Sequence, residues 1–126
     1  GAVKVKFVFD ATRSPKEWFG VYFRAGSSPL LGSHLVYVRQ QGSVEVAIYP
    51  GPQVIDRFSL GHSVMGVGTL ALEFENDHLE IQLGSNQFTT NKLSHQVAGS
   101  IVFAAWQADV TVSWAEMICR DTIDWS

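Results

Sequence analysis

Apolar and polar residues alternate with a period of two along most of the chain. Val3, Val5, Phe7 and Phe9 alternate with Lys4, Lys6 and Val8. Phe19, Val21 and Phe23 alternate with Trp18, Gly20, Tyr22 and Arg24. Val36 and Val38 alternate with Leu35, Tyr37 and Arg39, and Val44, Val46 and Ile48 with Glu45, Ala47 and Tyr49. Leu70, Leu72 and Phe74 then lead into Asn76-Asp77, and Leu79, Ile81 and Leu83 lead away from it. Gln87 to Thr90, Ile101 to Trp106 and Val110 to Cys119 complete the series. Successive side chains of a strand point to opposite faces, so this pattern predicts strands buried on one side. About nine or ten such strands at short spacings predict an all-β fold, a two-sheet antiparallel β-sandwich. Helical spacing is not sustained over a helical length anywhere. Ser14-Pro15-Lys16-Glu17 allows one turn at most, with Ser14 as cap and Pro15 at the first position.

Turn chemistry supports the same count. Gln40-Gln41-Gly42 suits a three-residue hairpin loop, with Gly42 supplying the left-handed conformation that a bulged turn demands. Val38 then registers against Val44 on the inner face, which sets Arg39 opposite Ser43 and Tyr37 opposite Glu45. Asn76-Asp77 suits a two-residue turn, because both residues tolerate positive φ. That turn sets Glu75 opposite His78 and Glu73 opposite Glu80. The longer irregular stretches run over 26–32, 50–52, 61–68 and 91–99. On a sandwich, loops of this length are where variable function sits.

Composition narrows the classes of function. The chain has 126 residues, of which 46% are hydrophobic. That is enough for one domain with a genuine core, spanning 1–126, and too little for two. The formal charge is −3, without a basic cluster, which argues against a nucleic-acid groove. No apolar stretch is long enough to span a bilayer, so membrane insertion is not expected, and no N-terminal segment reads as a signal peptide. Cys119 is the one cysteine, which excludes an internal disulfide and zinc sites built on paired cysteines.

The runs Phe19 to Arg24, Leu35 to Arg39, Gly42 to Val46, Leu70 to Glu75, Leu79 to Gly84, Gly99 to Phe103 and Val110 to Ile118 together resemble concanavalin A-like jelly-roll domains. Laminin G-like modules and the fructan-binding carbohydrate-binding modules of family 66 share this order of strands and turns. The resemblance implies a jelly roll and a non-catalytic, lectin-like accessory role beside a larger enzyme or surface protein, in an extracellular or cell-surface setting. It transfers no ligand residue, since it rests on pattern and turn glycines rather than on a signature constellation.

The residues themselves offer two candidate sites. Trp18, Tyr22, Arg24, Tyr37, Arg39, Glu45 and Tyr49 fall on the outward side of the first strands. Aromatic rings pack on the apolar C–H face of a sugar, and Arg and carboxylate groups bond pairs of hydroxyls. Trp18, Tyr22, Arg24, Tyr37, Arg39 and Glu45 are therefore the expected ligand contacts. The alternative is that they simply cover the sheet and pair across strands. The second candidate is Glu73 with Glu80, two opposed carboxylates whose repulsion calls for a cation, a ligand donor or a neighbouring base.

Other chemistries are weaker. Glu75, Asp77 and Glu80 have the Glu-x-Asp-x-x-Glu spacing of jelly-roll endoglucanases, but that motif needs one unbroken strand, and Asn76-Asp77 breaks it into a hairpin. His34, His62, His78 and His95 show no metal-site spacing and are expected at the surface or in loops. Trp106 and Trp114, in strongly apolar strands, are expected in the core, and Cys119 is expected as a buried thiol. Trp125 is expected to pack over an end of the sandwich or to lie exposed in the tail. No cofactor is expected. Structural calcium, with Asp10, Asp56 and Asp109 as ligands, stays an option that no calcium-loop pattern supports. The sequence reading is a non-enzymatic carbohydrate-binding module, joined in its parent chain to a catalytic domain. Its alternatives are a protein-interaction or structural domain of laminin G type and, further off, a jelly-roll glycosidase.

Overall fold

The computed structural model describes residues 1–12, 17–25, 32–64, 66–94 and 99–118. The candidate turn at Ser14, His95, Cys119 and Trp125 lie outside these residues. Ten strands are described in chain order: β1 (Ala2–Thr12), β2 (Trp18–Ala25), β3 (His34–Arg39), β4 (Ser43–Ile48), β5 (Gln53–Ser59), β6 (Val67–Glu75), β7 (His78–Leu83), β8 (Asn86–Thr90), β9 (Ser100–Trp106) and β10 (Ala108–Ile118). They form two five-stranded sheets, ordered β10-β1-β6-β7-β8 and β5-β4-β3-β2-β9. All pairings are antiparallel. The fold is the expected two-sheet jelly-roll sandwich.

The alternating residues close the core. Val3, Val5, Phe7, Leu70, Leu72, Leu79 and Ile81 of the first sheet pack against Phe19, Val21, Phe23, Val36, Val38, Val44 and Val46 of the second. Three aromatic pairs cross between the sheets: Phe7 on Phe19 at 4.7 Å, Phe74 on Phe23 at 4.6 Å and Phe88 on Phe58 at 4.8 Å between centroids. Such ring pairs add directional attraction to the area they bury.

Both predicted hairpins are present in the predicted register. Val38 faces Val44, Tyr37 faces Glu45 and Arg39 faces Ser43. Gly42 has φ +110°, and a Cβ there would lie 1.9 Å from the His62 carbonyl oxygen, so only glycine fits. In the other hairpin Glu75 faces His78 and Glu73 faces Glu80, with Asn76 at φ +54°.

Three expectations for the histidines and tryptophans fail, each for a local reason. His34 is fully buried, because it shares the inward face of β3 with Val36 and Val38. Trp106 is not in the core but 46% exposed, on the outward face of β9. Trp114 is 42% exposed as well. Val112 registers with Phe7 and Trp114 with Lys6, so a bulge at Ser113 shifts the alternation and turns Trp114 outward beside the lysines. The Lys4 ammonium sits 5.9 Å from its ring centroid.

Candidate functional site

On the outer face of the second sheet, strand registry builds three rows that run across β9, β2, β3, β4 and β5. The first is Trp106, Trp18, Arg39, Ser43 and Ser59. The second is Ala104, Gly20, Tyr37, Glu45 and Arg57. The third is Val102, Tyr22, Leu35, Ala47 and Val54. Directly opposed residues of antiparallel strands share a face, so these rows lie on one side of the sheet, with Leu35, Tyr37 and Ala47 buried among Trp18, Tyr22 and Tyr49. Tryptophans stand at one corner, small residues lie beside them, and a charged group occupies the far side.

The aromatic part is tightly braced. Trp18 tilts against Tyr37 with centroids 5.2 Å apart, and Tyr22 against Tyr49 at 5.7 Å, their hydroxyls 3.3 Å apart. Gly20 is needed between them: a Cβ there would meet Leu35 Cδ1 at 2.9 Å and Tyr37 Cβ at 3.0 Å. Burial, reinforced by the bond to Tyr49, pushes the Tyr22 hydroxyl up to about 12.

The charged part is centred on Glu45, which is only 2% exposed. Arg39 Nε donates to its Oε2 at 2.9 Å and Arg57 Nε donates to Oε1. Arg39 also lies over the Tyr37 ring, 5.3 Å from the centroid. Burial alone would raise the Glu45 carboxyl, but hydrogen bonds from Tyr37 and Arg39 and the pair with Arg57 outweigh it and hold the group below the usual range. Burial and the bond to Glu45 push the Tyr37 hydroxyl up to about 12. A buried carboxylate needs such partners, since an unpaired one would be too costly to keep ionised.

Of the expected contacts, Trp18, Tyr22, Tyr37, Arg39 and Glu45 are brought together on this face. Tyr37 and Glu45 are nearly buried, so they position Trp18, Arg39 and Arg57 rather than present surface of their own. Arg24 departs from the group. A register break between Tyr22 and Ala25, with φ +53° at Arg24, turns its side chain inward. There Nη1 donates to the Ser94 carbonyl at 2.8 Å and the guanidinium lies 5.5 Å from the Phe74 centroid. Burial lowers its pKa. Two residues of the face escaped the sequence reading: Trp106, assigned to the core, and Arg57, on a strand whose mixed pattern was not recognised.

Glu73 and Glu80 oppose each other as expected, but on the outer face of the other sheet, across the sandwich from Trp18. His78 answers their charge: its Nε2 is 3.4 Å from Glu80 Oε1 and its Nδ1 is 2.6 Å from Asn91 Oδ1. The Asn91 bond and Glu80 raise the His78 pKa. Glu75 and Glu80 lie on separate arms of the hairpin, with Asp77 in its turn. Among the described residues no three His, Cys, Asp or Glu side chains gather as a metal site would require. Asp56, one of the calcium candidates, is 3.6 Å from the Lys92 ammonium.

A second polar cluster lies inside the end of the sandwich. His34 Nε2 accepts the Ser94 backbone N–H at 3.1 Å, and Ser94 Oγ is at the same distance. Burial first, then the charge of Arg24, lowers the His34 pKa to about 4.

No protein-family model matches the chain, and no curated protein sequence matches it. Solved structures do. The carbohydrate-binding module CBM66 of Bacillus subtilis superimposes with a TM-score of 0.66 at 15% identity, over 88% of this chain and 70% of that one. Sheep galectin-11, in complex with glycerol, gives 0.63 at 11% identity, over 91% and 87%. Bacillus licheniformis β-glucanase gives 0.61 at 12% identity, over 86% of this chain and 54% of that one. At these identities the likeness establishes the fold, a concanavalin A-like jelly roll.

Proposed function

We propose that this chain is a non-catalytic carbohydrate-binding module that holds a poly- or oligosaccharide on the outer face of the β5-β4-β3-β2-β9 sheet. The observation that carries the reading is the pairing of Trp18 with the exposed Trp106 on that face, next to arginines fixed by a buried glutamate. Trp18 and Trp106 are adjacent across two strands and so make a contiguous apolar area, the kind of surface that marks a binding site, where a single exposed indole would not. A sugar ring offers the matching C–H face, while its hydroxyls suit the arginine donors. Structures of this fold include, by name, a carbohydrate-binding module and a lectin, which supports the same reading.

Hydrolysis fits the face poorly. Glycosidases work with a pair of carboxylates, one of them free to exchange a proton. Among the described residues of this face Glu45 is the one carboxylate, and two arginines keep it ionised. Few contacts on a preformed surface give weak affinity per site, which attachment to a catalytic domain would raise through local concentration. We place such a module outside the cell, where polysaccharides are met.

The test is a glycan array probed with the wild-type chain and with Trp106→Ala, in calcium and in chelator. The reading expects saccharide signals that chelator leaves in place and that the substitution removes. Silence over neutral, acidic and animal glycans alike would refute it.

A further inference from the structure

Among the described residues, the charged corner of this face holds two arginines and one carboxylate. Glu45 accepts from Arg39 Nε, Arg57 Nε and the Tyr37 hydroxyl, which takes up most of its lone pairs. What it offers a ligand is therefore arginine, not carboxylate. Arg57 is the exposed member: its side chain is 66% accessible, although its Nε is anchored to the buried carboxylate. An arginine held by Nε presents its two Nη groups as a preset fork, the geometry that matches two oxygens of one anion.

Arg57 stands on β5, three strands away from Trp18, and brings an exposed guanidinium to the far side of the face on a chain whose formal charge is −3. A sugar hydroxyl can accept one bond from such a guanidinium, whereas a carboxylate or sulfate accepts two at once and brings the opposite charge.

We infer that the saccharide held here carries an anionic group, a carboxylate or a sulfate, which docks on the outer edge of the Arg57 guanidinium while a sugar ring lies against Trp18 and Trp106. The inference rests on the carbohydrate-binding reading and specifies its ligand class.

The experiment is calorimetric titration of the intact chain with three probes: oligogalacturonate, its fully methyl-esterified and therefore neutral form, and a chondroitin sulfate oligosaccharide. Each is measured at low and at high salt. The expected result is that an acidic probe binds about five- to tenfold tighter than the ester at low salt, with the gap narrowing as salt screens it. Arg57→Gln should bring the acid-to-ester ratio close to one, and Arg57→Lys, which keeps the charge but loses the fork, should restore only part of it. The sulfated arm tells which anion is preferred. Equal binding of acid and ester, or an acid preference that survives Arg57→Gln, overturns the inference while leaving the carbohydrate reading intact. Failure of all three probes together with a silent glycan array overturns both.

Discussion

Trp18 of β2 and Trp106 of β9 are directly opposed partners on the outer face of their sheet. Trp18 is braced from the other side by Tyr37, whereas Trp106 stands on the outermost strand of that sheet. The two rings therefore differ in what holds them. Trp106→Ala should cost about 1 kcal/mol of stability or less, since much of its area is already in water. It should weaken saccharide binding by roughly tenfold or more, the worth of one lost ring contact. Denaturant unfolding and a binding titration on the same preparation separate the two effects.

Gly20→Ala acts on the same face without removing any side chain. The new Cβ would stand 3.0 Å from the Val36 carbonyl oxygen as well as close to Leu35 and Tyr37, and backbone cannot swing aside. Overpacking of this kind costs about 1–3 kcal/mol. The displaced Tyr37 should also loosen Trp18 and Arg39. A lower thermal midpoint with weakened binding is the expected pair of outcomes, read by calorimetry.

Glu45→Gln tests the charged corner. Removing one charge from a buried, doubly paired carboxylate leaves Arg39 and Arg57 facing each other, and breaking such networks costs about 3–5 kcal/mol when fully buried. Arg57 is well exposed and screened, so the expected loss is smaller, about 1–3 kcal/mol. The wild-type contribution is present above the ordinary glutamate range and declines as pH falls through the depressed folded value. The substituted chain should lack that acid-side decline, which urea midpoints below pH 5 would show.

His34 sets a separate pH dependence. The folded ring titrates near 4, while an unfolded histidine titrates near 6.5. Between those values the unfolded chain takes up a proton that the folded chain refuses. Stability is therefore full above about 6.5, falls by up to about 3 kcal/mol as pH drops towards 4, and then levels off. The Ser94 amide donating to Nε2 adds to the refusal, since a proton on Nε2 would displace it. Urea midpoints from pH 7 to 4 should slope in wild type and flatten in His34→Gln.

The fold was readable because glycine and asparagine turns pin registers. Gly42 and Asn76 each set a hairpin, and each hairpin assigns both faces of its strands. Faces became unreadable where alternation fails. Ile101 to Trp106 is apolar throughout, so nothing in that run tells that Phe103 packs on Phe19 while Trp106 turns out. Ser113 and Arg24 sit at bulges, and a bulge exchanges the faces of the residues beyond it without any marker in composition. His34 did carry a signal, two residues before Val36 on the inward side, but its polarity suggested a loop. Arg57 was missed because Asp56-Arg57 interrupts the apolar pattern of β5 and a register shift lies opposite. The aromatic and acidic members of the site were thus visible in sequence, and the ring and the cation that complete it were not.

The central claim is that saccharide lies against Trp18 and Trp106. The most direct measurement is the indole N–H region of a nitrogen-15 correlation spectrum, recorded while the saccharide selected on the array is titrated in. The account predicts that the Trp18 and Trp106 signals, assigned by single substitution to phenylalanine, shift together along one binding curve. The signal of Trp114, exposed on the opposite sheet, should stay in place. Shifts at Trp114 without shifts at Trp18 and Trp106, or no shift in any indole with a saturating ligand, would contradict it.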